Sequence, residues 1–100
     1  MLAHVVTLQS EPADVIDVVG HFREALLPIL QRQPGYHGAT VLTDPGAGAV
    51  VTIITFETAA AMDAFAASAD HRAYEAARAA GMRLMTAPPT FATYQVSLRD

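Results

Sequence analysis

The sequence predicts an α+β fold of ferredoxin-like order, βαββαβ, in which four strands make one antiparallel sheet and two helices cover one of its faces. Three observations lead there. Residues Gln33 to Glu57 read as a β-hairpin, with a strand from about His37 to Thr43, a tight Asp44-Pro45-Gly46-Ala47-Gly48 turn and a second strand from about Val50 to Phe56. The second arm, Val50-Val51-Thr52-Ile53-Ile54-Thr55-Phe56, is apolar in both alternate sets of positions, so both of its faces are expected to be buried. On either side of the hairpin stands a stretch of helical periodicity, and each is flanked in turn by a further strand.

Taken in order, His4 to Gln9 is a short β-branched run and forms the first strand. Ser10 is placed to cap the next helix, Pro12 suits its first turn, and Glu11 and Asp14 favour the positive end of its dipole. Val15, Val19, Phe22, Leu26, Ile29 and Leu30 then recur at helical spacing, opposite a polar face of Asp14, Asp17, His21, Glu24 and Arg32, which predicts an amphipathic helix from about Pro12 to Gln33. Pro28 cannot donate to the carbonyl of Glu24, so a kink or loosened turn is expected beside it.

After the hairpin, Thr58 caps a helical segment from Ala59 to about Ala80, with Met62, Phe65, Ala66, Ala69, Ala73, Ala76 and Ala77 on one side. Ser68-Ala69-Asp70 resembles a second capping site, which divides the segment in two before His71. Gly81 is expected to end it as a C-cap. Met82 to Ala87 is ambiguous, and Pro88-Pro89 forces an extended turn. Phe91 to Leu98 alternates as a half-exposed edge strand does, with Ala92, Tyr94, Val96 and Leu98 on one face.

In this order the first and third strands are central and the second and fourth are edges. Two helices cover only one face of such a sheet. A central strand apolar on both faces therefore needs a second cover, and a copy of the same sheet is the economical one; about 800 Å² per subunit is an ordinary stable interface. The expectation is a homodimer through the sheet faces.

Composition narrows the partners. The chain is 52% hydrophobic and 16% charged over 100 residues, a single domain whose apolar surface exceeds what a modest core absorbs. A formal charge of -4, with arginine as the only strongly basic residue type and no basic run, argues against nucleic acid or an anionic membrane. The absence of cysteine removes disulfides and thiolate metal sites, the Met1-to-Leu8 stretch lacks a signal peptide's positive region, and no apolar run reaches the ~20 residues needed to cross a bilayer. A soluble, cytoplasmic protein is expected.

Gln33-Pro34-Gly35-Tyr36 leading into a hairpin, Phe56-Glu57-Thr58, Met62-Asp63-Ala64-Phe65 and Ser68-Ala69-Asp70-His71-Arg72-Ala73-Tyr74 together resemble the antibiotic biosynthesis monooxygenase family of the dimeric α+β-barrel superfamily. Members show a Pro-Gly-aromatic turn, an aromatic-Glu-Ser/Thr strand exit and a Ser-x-x-His helix entry, and the resemblance covers nearly the whole chain, residues 1 to 100. It speaks to the fold more than to the activity, because the family includes cofactor-independent oxygenases of polycyclic phenols, quinol monooxygenases, haem-degrading enzymes and proteins of unknown role. Quinone-forming members use an Asn and a Trp on the third strand, a Tyr opening the second helix and an Arg farther along it; these positions fall on Thr52, Phe56, Met62 and roughly Ala76. Haem-degrading members use an Asn on the first strand, then a Trp and an axial His on the second helix; the matches are Thr7, Phe65 and Tyr74. This chain contains no Asn and no Trp, so neither set is complete.

Read from the residues themselves, Thr52, Ile54 and Phe56 share a face of the central strand and can line a pocket against Phe22, Met62, Phe65 and Tyr74. The competing reading is plain core, which fits Phe22 and Ile54 best. Thr52 and Tyr74 each place a hydroxyl in an apolar setting, where it needs a partner or a ligand. His71 opens a helical turn beside Asp70 and is the best candidate for acid-base work, against a solvent-facing alternative. His37, beside Tyr36, reads as a surface strand end against the alternative of a pocket mouth, His21 as part of a solvated helix face and His4 as uninformative. The four His are scattered without metal-ligand spacing, so no metal is expected, and the chemistry implied by the resemblance uses no cofactor. Two functions follow as expectations. The first is a cofactor-independent monooxygenase of a small aromatic or quinol-type molecule, with His71 and Tyr74 catalytic. The second is a non-catalytic ligand-binding or assembly module of the same fold.

Overall fold

In the computed structural model, which describes residues Met1–Asp100, strands β1 (Leu2–Gln9), β2 (Tyr36–Asp44), β3 (Ala49–Phe56) and β4 (Thr90–Gln95) form one antiparallel sheet in the order β2-β3-β1-β4. The central pair is β1 with β3, in register from Leu2 opposite Phe56 to Gln9 opposite Ala49. This is the α+β, ferredoxin-like arrangement the sequence predicts.

Strand β3 separates its side chains into two rows. Val50, Thr52, Ile54 and Phe56 are 1%, 4%, 2% and 2% exposed beneath the helices, whereas Val51, Ile53 and Thr55 are only half-buried on the opposite face. The chain therefore buries one row of its most apolar strand and leaves the other open. Pairing puts Val5, Leu42, Ala92 and Tyr94 on that open face as well, with Leu42 and Tyr94 more than half exposed.

The first helical stretch is a 3-10 turn (Pro12–Asp14), α1 (Val15–His21), a π-helical turn (Phe22–Leu26) and α2 (Leu27–Gln31). Pro28 explains the π turn: it cannot donate to Glu24, and the wider turn before it lets Leu27 N–H reach back to the Phe22 carbonyl. The extra residue keeps Phe22, Leu26, Ile29 and Leu30 all buried over the sheet. Val18 is buried where the sequence pointed to Val19, which is half-buried.

After β3 come α3 (Ala59–Ala66) and α4 (Ala69–Gly81), split where the second cap was expected. Thr58 Oγ accepts from Ala61 N–H at 3.1 Å and Ser68 Oγ accepts from His71 N–H at 3.3 Å. The split resets the helical phase, so the alanine stripe counted across it does not carry through. Phe65, Tyr74, Ala77 and Gly81 pack inward, while Ala66, Ala69, Ala73 and Ala76 face solvent.

Three further expectations are corrected. Ser10 caps nothing; it is buried, and its hydroxyl donates to the Gly48 and Glu11 carbonyls, tying the end of β1 to the hairpin. Gly81 is right-handed (φ -79) and continues into a 3-10 turn at Met82–Leu84. It is small because the His21 ring lies against it, 2.8 Å from where a Cβ would stand. His21 in turn leaves the solvated face and closes on the Ala77 carbonyl, Nε2 to O 2.6 Å, clamping α1 to α4.

Gly48 closes the hairpin with φ +68, and a Cβ there would lie 2.0 Å from the Ser10 carbonyl oxygen, whereas at Gly46 it would make only an ordinary contact, 3.9 Å from Asp44 Oδ1. Gly48→Ala should cost more than ~2 kcal/mol of unfolding free energy in urea melts, and Gly46→Ala within ~0.5 kcal/mol of zero.

Candidate functional site

Two spaces lie between the inner row of β3 and the helices. A narrow cavity of about 60 Å³ is lined by Val6, Leu8, Phe22, Leu26, Val50 and Thr52, among others, with Met82, Leu84 and Met85 of the α4–β4 connection at its other side. A more open groove of about 270 Å³ runs along Ile54, Phe56, Met62, Phe65 and His71, with His4, Glu75 and Thr93 at its border. Tyr74 and Arg78 line both. The single pocket expected from the sequence is thus two adjoining spaces. Ile54, Phe56, Met62, Phe65, His71 and Tyr74 meet on the groove; Phe22 and Thr52 meet Tyr74 on the cavity.

An aromatic cluster fixes the partition. Phe65 meets Tyr74 edge-to-face with ring centroids 5.3 Å apart, meets His71 likewise at 5.1 Å, and stacks on Phe56 at 5.9 Å. His71 lies over Tyr74 at 6.1 Å with planes 25° apart. These contacts follow from the short α3–α4 turn: Phe65 sits just before it, and its carbonyl accepts from Ser68 Oγ at 2.7 Å, so the first turn of α4 is delivered onto the Phe65 ring.

Adjacent residues on a helix point about 100° apart, and this separates His71 from Asp70. Asp70 turns away to accept from Gln33 Nε2 at 2.8 Å and Arg32 at 3.3 Å, pinning α4 to the end of α2. The carboxylate that faces His71 is Glu75, one turn on, with Nε2 to Oε1 3.5 Å. Glu75 also pairs with Arg78, so His71, Glu75 and Arg78 form a linked file along α4.

Burial pushes the Tyr74 phenol up to about 12, with the Glu75 charge adding to this and the Arg78 charge opposing it. At neutral pH this hydroxyl is a hydrogen-bond donor and not a base. Neither it nor the Thr52 hydroxyl takes a partner from the protein. Since no side-chain polar atom shut off from open space lacks one, both hydroxyls reach open space.

His4 and Arg78 belong to the site although sequence reasoning passed over them. His4 stacks on Phe91 at 5.9 Å, and its Nδ1 lies 3.2 Å from Thr93 Oγ. The Arg78 guanidinium lies 5.0 Å from the centroid of the Phe91 ring. Burial first, and the Arg78 charge second, hold the His4 imidazole below its usual range, favouring its neutral form. Signals for both were present: His4 alternates with Val6 and Leu8 and shares their face, and Arg78 stands four residues after Tyr74 and seven after His71. His37 is exposed, as expected, and no three His, Asp or Glu side chains gather as a metal site requires. No helix is long and apolar enough to cross a membrane.

Comparison with known proteins adds the following. The model of the antibiotic biosynthesis monooxygenase family matches residues 1–77. Among solved structures, the chain is similar to a monooxygenase from the gene ActVA-Orf6 of Streptomyces coelicolor in complex with nanaomycin D, at 24% identity and TM-score 0.81 over 99% of this chain and 89% of that one. It is similar to SnoaB, a cofactor-independent oxygenase from Streptomyces nogalater, at 19% identity and TM-score 0.73 over 98% and 94%. The NE2512 protein of unknown function from Nitrosomonas europaea gives 20% identity and TM-score 0.72 over 99% and 91%. No curated protein matches.

Hydrogen bonds from Gln33, then Arg32, hold the Asp70 carboxyl below the usual carboxylate range. A depressed folded-state pKa contributes stability above the unfolded value of about 3.9 and loses it as pH falls through the folded one. Asp70→Asn should therefore melt below the wild type at neutral pH, and the gap should close in thermal melts as the pH is lowered past about 4.

Proposed function

The chain belongs to the antibiotic biosynthesis monooxygenase family, and from that premise we propose that it is a cofactor-independent monooxygenase of a small, electron-rich aromatic of the phenol or quinol type. The observation that carries this is the groove: an aromatic-walled slot with a polar border, in which the His71 imidazole and the buried Tyr74 phenol stand side by side. The ring of the substrate lies against Phe56, Phe65 and Met62. His71 takes a proton from it, and Glu75, 3.5 Å away, stabilises the resulting imidazolium. Tyr74, protonated at neutral pH, donates to the developing oxyanion. Ile54 and Leu30 shape the inner wall, and Thr52 and Phe22 line the adjoining cavity.

The anion itself supplies the electrons. For an anthrone-type ring methylene, the carbanion bonds to one atom of O₂; the hydroperoxide then loses water as the O–O bond breaks, leaving a carbonyl. One oxygen enters the product and the other leaves as water with the two hydrogens of the methylene. The carbon gives up the four electrons that O₂ takes, so no external reductant is required. The protein contributes orientation and exclusion of water.

The same reading makes residues 1–100 one domain of a cytoplasmic homodimer whose open sheet faces, with Val51, Ile53, Leu42 and Tyr94, pack on each other. The half-buried outer row of β3 supports it. A non-catalytic ligand-binding or assembly module is the competing reading, and the lack of any Asn or Trp favours it. The groove beside Tyr74, about 270 Å³, supports a ligand in either case.

Purified protein should consume O₂ with dihydroxynaphthalenes or anthrones faster than buffer alone; equal rates would reject the oxygenase reading for those substrates. His71→Gln should lower kcat/KM by ~10²-fold, whereas Tyr74→Phe should lower kcat with KM little changed. Light scattering at micromolar concentration should give twice the 10.6 kDa chain mass; a monodisperse monomer would reject the dimer.

A further inference from the structure

We propose that the narrow cavity beside the groove is a binding site for a small apolar gas, dioxygen in the working enzyme, so that the two reactants occupy separate spaces on the two sides of Tyr74. The identity of the gas rests on the oxygenase reading above; the site itself does not.

Size is the first argument. An engineered apolar cavity of about 150 Å³ admits benzene or xenon and stays dry. At about 60 Å³ the present cavity has room for a diatomic molecule and not for an aromatic ring, whereas the groove, at about 270 Å³, has room for the ring and lines it with aromatics.

Polarity is the second. The walls are built mainly from Val6, Leu8, Phe22, Leu26, Val41 and Val50. The polar side chains that reach them are largely committed elsewhere: His21 Nε2 to the Ala77 carbonyl, and Arg78 to Glu75 and the face of Phe91. The Thr52 and Tyr74 hydroxyls, His21 Nδ1 and the remaining Arg78 N–H groups are the few polar atoms left among twelve apolar lining residues. A buried water typically makes about three hydrogen bonds, so this space holds water poorly and an apolar gas well.

Position is the third. Tyr74 and Arg78 line both spaces, so a molecule in the cavity is one side chain away from a ring in the groove. Met82, Leu84 and Met85, on the connection after α4, give the cavity an apolar border near the surface that does not pass through the groove. Dioxygen can thereby arrive after the organic substrate has filled the groove and excluded solvent from it.

Xenon under pressure tests the site without turnover. In methyl-labelled protein, the expected result is saturable shifts at Val6, Leu26, Val50 and Met85, with Met62 in the groove unmoved. Leu8→Phe fills the space, and Val41→Leu is a milder second variant in case the first does not fold. Either should abolish the shifts and raise KM for O₂ about tenfold while KM for the organic substrate holds. No shift at the lining methyls, shifts centred on Met62, or shifts that survive both substitutions would overturn the gas site. Xenon binding in a protein inert toward every quinol would sustain the site and overturn only the oxygenase reading. O₂ uptake without xenon binding would do the reverse.

Discussion

The structure depends on one constraint: β3 is apolar on both faces, and the chain has helices for only one of them. The inner row, Val50, Thr52, Ile54 and Phe56, is covered by α1, α2, α3 and α4 and becomes the core. Leu30, 1% exposed, is the deepest helix residue over it, and a leucine buried to that extent contributes roughly 1.5–3 kcal/mol. The outer row is left half-covered. Fold, candidate site and proposed assembly all follow from how those two rows are used.

The site exists because the inner row is not packed solid. Three features keep it open. The π turn forced by Pro28 swings Phe22 and Leu26 onto the cavity wall. The His21–Ala77 hydrogen bond and the bare Gly81 set the distance between α1 and α4. The break at Ser68 brings Phe65 against His71 and Tyr74, and this fixes the phenol as a partition. None of these is itself a catalytic group, yet together they decide where one can act. The chain lacks the Asn and Trp that the family resemblance associates with quinone formation; what stands in the groove is a different set, His71, Tyr74, Arg78 and His4.

Much of the fold was legible because it is written in short-range chemistry. The Asp44–Gly48 turn, the two-sided apolar β3, the Thr58 and Ser68 caps and the disturbance before Pro28 are each set by a few neighbouring residues. What was not legible depends on phase and on distant contacts. The alanine stripe failed because Ala67 and Ser68 restart the helix at a new angle. Ser10 has the local pattern of a cap, but its partner, the Gly48 carbonyl, is 38 residues away. His21 looked solvated because its acceptor, Ala77, is on another helix.

The site residues followed the same rule. Ile54, Phe56, Met62 and Phe65 were found from alternation and helical spacing, and His71 and Tyr74 from the helix entry. The division of their surroundings into two spaces could not be read from any local pattern, since it arises where four elements meet. The proposed assembly is a division of labour within β3, in which the inner row holds the fold and the outer row is offered to a twin subunit. Sedimentation equilibrium and circular dichroism of Ile53→Lys test this most directly: the account predicts a folded protein of single-chain mass, and a variant that still sediments as a dimer would contradict it.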